Sequence, residues 1–341
     1  MSRPLAVGPG HGLAGRAVSG PLIVGHRGAS GHRPEHSRAA YELAIAMGAD
    51  AVEPDVVASR DGVLVVRHEN EISGTTDVAS RPEFAGRRRS QRVDGRRVTG
   101  WFTEDFDWAE LATLRVRERL PALRRASAAH DGRQPMLRLE EVLQLAAEGG
   151  VGVVAELKHH THFRGIGLDL AELAAPRLAA FPGPLCVESF EASALAAVRE
   201  RGLAATLVYL VEARGTAADL RARDAAPSYA EQLTDAGLAR LAATVEGVSV
   251  PKSLLVGGPL RGVPRDPRLV ERAHRAGLAV LAWTLRPENA FLARGHRRPG
   301  GLARHGDWRG EWSAVVRTGV DGVFVDHPDL ARELLAGPVE A

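Results

Sequence analysis

"RLEEVLQLAAEGGVGVVAELK" (residues 138–158) carries the fold in miniature. Its first half repeats apolar residues at helical spacing, and Gly149 fits the left-handed position just past a helix. Its second half, "GVGVVAELK" (150–158), is a continuous apolar run of the kind buried on both faces of a sheet. A helix handing directly to a buried strand is the repeating unit of a parallel α/β architecture.

The unit recurs in both directions. Further apolar runs are "PLIVGH" (21–26), "DAVEPDVV" (50–57), "VLVVRH" (63–68), "PLCVESF" (184–190), "AATLVYL" (204–210), "VEGVSVP" (245–251), "LAVLAWTL" (278–285) and "VDGVFVD" (320–326). Helix-like segments fall at 38–48, 138–148, 167–180, 191–201, 231–243, 267–276 and 328–335, and Gly48, Gly202 and Gly277 repeat the role given to Gly149. About eight such units without a midpoint linker predict an α/β fold, a (β/α)8 TIM barrel in place of an open sheet. The alternation fails at 69–137, a stretch rich in Arg, Gly and Asp that holds Trp101, Phe102 and Trp108. A small inserted subdomain after the second barrel strand, with those aromatics as its core, is the simplest account. The chain then divides into an N-terminal tail (1–20) expected to be mobile, a barrel domain (21–336) and a C-terminal tail (337–341).

Bulk composition sets outer limits. The 341 residues are 45% hydrophobic and 25% charged, with a net charge of +2, ordinary for a globular protein. The densest basic cluster, Arg87–Arg88–Arg89 with Arg92, Arg96 and Arg97, has no interleaved aromatics and reads as a solvated loop face, with no nucleic-acid partner implied. Cys186 is the single cysteine, so no intrachain disulfide can form, and it reads as a small buried hydrophobe. Glycine, proline and histidine interrupt the first twenty residues where an export signal needs an apolar stretch. No run approaches the roughly 18 apolar residues of a membrane span. The expectation is a cytoplasmic protein with no stable membrane insertion; oligomeric state is left open.

In a parallel barrel the C-terminal strand ends share one mouth, where catalytic residues gather. His26 and Arg27 end the first run, and Glu53 and Asp55 lie two apart in the second. Such spacing puts both carboxylates on one side of the sheet. His68 ends the hairpin-like "DGVLVVRH", and Glu156 and Lys158 repeat the two-residue spacing in the next barrel run. Charges cost several kcal/mol each to bury unpaired, so chance placement in apolar strands is disfavoured. Three carboxylates at one mouth call for a cation, and all-oxygen ligands suit Mg2+ or Ca2+. Two histidines beside it could serve as general acid and base, with Arg27 and Lys158 facing an anion. Such a set fits phosphoryl-ester cleavage better than redox chemistry.

The stretch "HRGASGHRPEHSRAAYELAIAMGADAVEPDVVASRDGVLVVRHENEISGTTDV" (26–78) resembles the signature region of the glycerophosphodiester phosphodiesterase family. The resemblance extends to "VAELK" (154–158), "VLAWTLR" (280–286) and "GVDGVFVDHPDLA" (319–331), and the long insertion is similar to the bacterial periplasmic-type branch. It implies a barrel with a small insertion, and a small-molecule glycerophosphodiester as substrate, cleaved to glycerol 3-phosphate and an alcohol with one divalent cation, Ca2+ or Mg2+. Carried over residue by residue, it implies Glu53, Asp55 and Glu156 as metal ligands and His26 and His68 as the acid–base pair. Arg27, Lys158 and Trp283 would then contact substrate. Head-group preference and the division of labour between the histidines stay open.

Several residues carry weaker expectations. Pro54, between two implied ligands, predicts a bulge that aims them. His36 or Ser37 is expected to cap the helix that follows. "HHTHFR" (159–164) lacks a partner at zinc-ligand spacing. Lys252, ending a strand run, is a second candidate anion contact. Rival readings are a membrane-acting barrel of the phosphatidylinositol-specific phospholipase C or sphingomyelinase D kind, and a barrel that binds phosphodiesters without turnover. The first wants apolar or aromatic mouth loops, which are few here, and the second wants a missing catalytic residue.

Overall fold

The computed structural model describes residues 20–221, 226–259 and 265–337; apart from Gly20 and Gly337, the two expected tails lie outside the described residues. Twelve strands occur in order: β1 (Leu22–His26), β2 (Ala51–Glu53), β3 (Asp55–Ala58), β4 (Leu64–Val66), β5 (Arg89–Val93), β6 (Arg96–Gly100), β7 (Gly152–Leu157), β8 (Leu185–Ser189), β9 (Thr206–Leu210), β10 (Gly247–Pro251), β11 (Ala279–Leu285) and β12 (Gly322–Val325). β1 pairs in parallel with β2 on one side and β12 on the other. Parallel pairing continues from β7 through β12, and β2 and β3 both join β7. β2 and β3 together make one barrel strand, so eight strand positions close on themselves as a (β/α)8 barrel.

Pro54 interrupts that second strand without shifting it. Ala51 faces Gly152 before the proline and Asp55 faces Glu156 after it, so the register passes through with no inserted residue. The expected bulge is absent. Proline removes one ladder donor, but its carbonyl still accepts from Glu156 N–H at 3.0 Å.

The helices follow the apolar periodicity with small differences. Leu139–Gly149 runs one residue past the expected end, and Gly150, not Gly149, takes the left-handed turn with φ 63°. Segment 231–243 divides into Tyr229–Gln232 and Asp235–Leu241, because Thr234 caps the second helix through Gly237 N–H. The sequence reading missed helix Trp308–Val316, whose capping Asp307 follows a Gly- and Arg-rich stretch that masks the apolar pattern.

Inside the barrel, Val24, Ala51, Val154, Cys186, Val208, Leu281 and Phe324 pack into an apolar plug, and Cys186 is fully buried in it. The plug seals the lower barrel, so inward residues one layer higher stand on a rigid floor.

The chain leaves the barrel through the antiparallel β3–β4 hairpin and returns where Leu137 O accepts from Val66 N–H. Between these points β5 and β6 form a separate antiparallel hairpin. Arg89, Arg92, Arg96 and Arg97 are exposed on that hairpin, which corrects the expected loop to strand. Phe84, Trp101, Phe102 and Phe106 are buried within the insertion, and Trp101 Nε1 donates to Phe84 O at 2.7 Å. His159 and His162 pair with Asp94 and Glu104 of the insertion, at 2.6 and 2.8 Å, tying it to the barrel. No helix among the described residues is long and apolar enough to cross a membrane.

Candidate active site

Side chains alternate along a strand, so residues two beyond the plug point into the barrel one layer higher. Those positions are His26, Glu53, Glu156, Glu188, Leu210, Trp283 and Asp326. All but Asp326 line one cavity of about 790 Å³ at the C-terminal mouth, and Arg27, His68 and Lys158 join them there.

The glycine after His26–Arg27 has a packing reason. Gly28 adopts φ 82° against the helix Arg38–Ala46, where a Cβ would come within 2.5 Å of the Ala40 carbonyl carbon. Arg27 itself has φ 59°, unusual for a residue with a side chain, and its N–H donates to Glu53 Oε2 at 2.7 Å. Its guanidinium reaches Glu35 at 3.0 Å and Asp55 at 3.2 Å.

Carboxylates of Glu53, Glu156 and Glu188 converge with oxygens within 4.8 Å of one another. Glu188 was not singled out from sequence. The available signal was its position two residues after Cys186 in an apolar strand, directly opposite Glu156. Asp55, implied as a ligand, is placed beside this cluster and not among its mutually close oxygens. It faces Glu156 across the ladder and is held by His36 Nε2 at 2.9 Å and Lys158 Nζ at 3.3 Å. Lys158 also donates to Glu156 at 2.7 Å.

Burial, and then the neighbouring Asp55 carboxylate, push Glu53 well above the usual carboxylate range. Glu156 is pushed up to about 8 by burial, which outweighs Lys158. Glu188 rises through burial and the Glu156 charge. Burial also disfavours ionised Asp55, but Lys158, His68 and Arg27 hold it well below its ordinary value. Glu188 Oε2 is buried with no hydrogen bond, and Asp55 Oδ1 has no hydrogen bond beyond its ion pair with Lys158. An all-oxygen cluster with mutual repulsion and unspent acceptors fits a hard divalent cation, held by Glu53, Glu156 and Glu188 with Asp55 adjoining.

The two implied catalytic histidines flank the cluster, each on a carboxylate. His26 Nδ1 meets Asp326 Oδ1 at 2.7 Å, and His68 Nδ1 meets Glu69 Oε1 at 2.5 Å. Burial followed by the Arg27 charge lowers His26 to about 4. Burial, Arg27 and Lys158 lower His68 to about 3, so both imidazoles are neutral near pH 7. Trp283 lines the cavity with its ring edge-on to Phe190, centroids 5.9 Å apart.

Other expectations resolve differently. Lys252 does not face the cavity; it is buried in an ion pair with Glu311, because the barrel wall there offers a carboxylate and no solvent. Ser37 caps the helix through Ala40 N–H at 3.2 Å, whereas His36 bridges Asp55 and Tyr41 inside the core. The nitrogens of His160 are buried without partners, while His159 and His162 face separate carboxylates of the insertion.

Residues 26–330 match the model of the glycerophosphoryl diester phosphodiesterase family. The chain is 29% identical over 328 residues to a glycerophosphodiester phosphodiesterase of Arabidopsis thaliana, spanning 91% of this chain and 84% of that one. A shorter match, 54% identical over 56 residues, joins 16% of the chain to 20% of a probable glycerophosphodiester phosphodiesterase of Mycobacterium tuberculosis. Among solved structures, an Oleispira antarctica phosphodiesterase in complex with the product sn-glycerol-3-phosphate superposes with a TM-score of 0.64 at 20% identity, covering 93% of this chain and 98% of that one. A putative glycerophosphoryl diester phosphodiesterase of Silicibacter pomeroyi gives 0.64 at 20% identity, covering 95% and 96%. At that identity the structural likeness speaks for the fold. The family match across nearly the whole barrel goes further: this chain belongs to the glycerophosphoryl diester phosphodiesterase family.

Proposed function

We propose that this protein hydrolyses glycerophosphodiesters such as glycerophosphocholine to glycerol 3-phosphate and an alcohol, using His26 and His68 as its acid–base pair and one hard divalent cation, Ca2+ or Mg2+. Residues 21–336 act as one catalytic unit, with 69–137 inserted. The observation that carries this reading is one cavity whose lining brings together His26, His68, Arg27, Lys158 and the three converging carboxylates Glu53, Glu156 and Glu188.

The cation, when bound by Glu53, Glu156 and Glu188, supplies charge stabilisation to phosphoryl oxygens. The remaining work falls to the chain. Arg27 and Lys158 line the cavity and face the phosphate, offering guanidinium and ammonium donors to its oxygens. One neutral imidazole accepts the proton of the glycerol 2-hydroxyl as that oxygen attacks phosphorus. The other imidazole, having taken a proton from solvent as the phosphate binds, gives it to the departing alkoxide oxygen. When water opens the cyclic phosphate, that imidazole takes a proton from the water and the first returns its proton to the glycerol 2-oxygen. Holding hydroxyl and phosphorus in one enclosed site contributes through proximity. Trp283 and Phe190 supply an apolar wall for the glycerol carbons.

The test is glycerol 3-phosphate release from glycerophosphocholine by purified protein, with EDTA, with Ca2+ or Mg2+, and beside His26→Ala. Metal-dependent release that the variant lacks supports the reading. A folded protein that releases nothing with either metal rejects it.

A further inference from the structure

Each implied catalytic histidine rests on a carboxylate, and each carboxylate is gripped by an arginine from one short stretch of the insertion, "RERLPALRR" (117–125). Behind His26, Asp326 Oδ2 accepts from Arg124 Nη2 at 2.5 Å and from Arg286 Nε at 2.6 Å. Arg124 also donates to Glu288 Oε1 at 2.7 Å and to Ser30 O at 3.0 Å, so three of its nitrogens are committed. Behind His68, Arg119 donates through Nη1 and Nη2 to both oxygens of Glu69, at 3.0 and 2.6 Å. The same guanidinium takes both oxygens of Glu35, which in turn holds Arg27.

We propose that Arg119 and Arg124 are positioning residues, through which the insertion fixes the orientation and tautomer of the two histidines from behind. This rests on the reading of His26 and His68 as the acid–base pair. Neither arginine lines the cavity, so neither is placed to touch substrate.

The geometry favours this over a simple tie between insertion and barrel. An ionised carboxylate on Nδ1 draws the ring proton to that nitrogen and leaves Nε2 with its lone pair. A carboxylate does this reliably only if its own orientation is fixed: the Arg119 fork holds both Glu69 oxygens, and Arg124 with Arg286 holds Asp326 Oδ2 while Oδ1 faces His26. Arg124 is 7% exposed, and burying a guanidinium without full pairing is strongly unfavourable, so its bonds are specific placements. The turn between the arginines is itself pinned: Glu118 accepts from Leu120 N–H and from Ser127 Oγ, and its own N–H donates to Asp131.

The test compares Arg124→Met, Arg124→Lys, Arg119→Met and Arg119→Lys with Arg89→Gln, which breaks an insertion ion pair, Arg89–Asp105, that includes neither histidine carboxylate. Metal-replete protein is read three ways: turnover of glycerophosphocholine, side-chain 15N spectra of the histidines, and thermal unfolding. The methionine variants should lose about 10–100-fold in kcat, the usual scale for such support, with KM within about twofold. Arg124→Met should lose the Nδ1–H tautomer signature of His26, and Arg119→Met that of His68. The lysine variants should recover part of both, since charge returns without the fork. Arg89→Gln should change neither. Retained signatures with retained kcat overturn the proposal, as does an equal kcat loss in Arg89→Gln. If the methionine variants do not fold, the lysine variants decide by the same spectra. If the unaltered protein does not cleave glycerophosphocholine, the proposed activity fails while the spectra still decide the clamp.

Discussion

Glu156 and Glu188 stand opposite each other across the β7–β8 ladder, and Asp55 stands opposite Glu156 on its other side. Three adjacent strands therefore carry carboxylates in one register layer. Like charges set directly across a ladder repel, and here the layer is also cut off from water. Lys158 satisfies part of it, leaving Glu188 as the member with no cation within bonding distance among the described residues.

Glu188→Gln should weaken divalent-cation affinity by about 10–100-fold, measured by isothermal titration calorimetry with Ca2+ and Mg2+. Without metal, the same variant should melt at or above the parent temperature, since a repelled charge is gone. Unchanged affinity would place Glu188 outside the ligand set.

Stability of the metal-free protein should fall as pH rises from 6.5 to 8. Glu156 binds a proton up to about 8 when folded, against 4.5 when unfolded, and Glu53 and Glu188 are shifted the same way. In that window the folded state holds more protons than the unfolded one, so raising pH favours unfolding. The lowered His26, His36 and His68 act in the opposite sense only below 6.5, where their unfolded forms charge. Melting curves across this range should show the decline, and added divalent cation should reverse it with release of protons.

His26→Ala and His68→Ala should each lower kcat by about 10²–10⁴-fold, the range for a positioned acid or base, with far-ultraviolet circular dichroism unchanged. A loss under about tenfold in either would remove that histidine from the pair.

Lys252→Met should destabilise the barrel by about 3–5 kcal/mol in urea unfolding, because Glu311 is fully buried and loses its cation. Its kcat should stay near that of the parent, since Lys252 does not line the cavity. A fall in kcat with normal stability would restore it as an anion contact.

Pro54→Ala should leave cation affinity within about twofold, because the register is the same on both sides of the proline and its loss re-aims neither Glu53 nor Asp55. A larger change would show that the proline shapes the site after all.

Periodicity decided the barrel, because alternation of buried strands with helices admits one closed parallel solution at this length. The inward-facing residues His26, Glu53, Glu156 and Trp283 were legible for the same reason: polar or bulky groups at the ends of apolar strands stand out. Capping by Ser37 and burial of Cys186 also followed from local rules. What the sequence could not show is which distant groups meet. Glu188 sits in a strand end that looked like packing, and only lateral register puts it against Glu156. Asp55 matched an implied ligand, yet His36, Arg27 and Lys158 approach it from three elements and draw it beside the cluster. Nothing in the sequence marks out Arg119 and Arg124; the folded insertion aims them at Glu69 and Asp326. Local spacing fixes which side of an element a residue faces; the partner it finds there depends on tertiary contacts between residues as far apart as Arg124 and Asp326, separated by 202 positions, and periodicity carries no record of those.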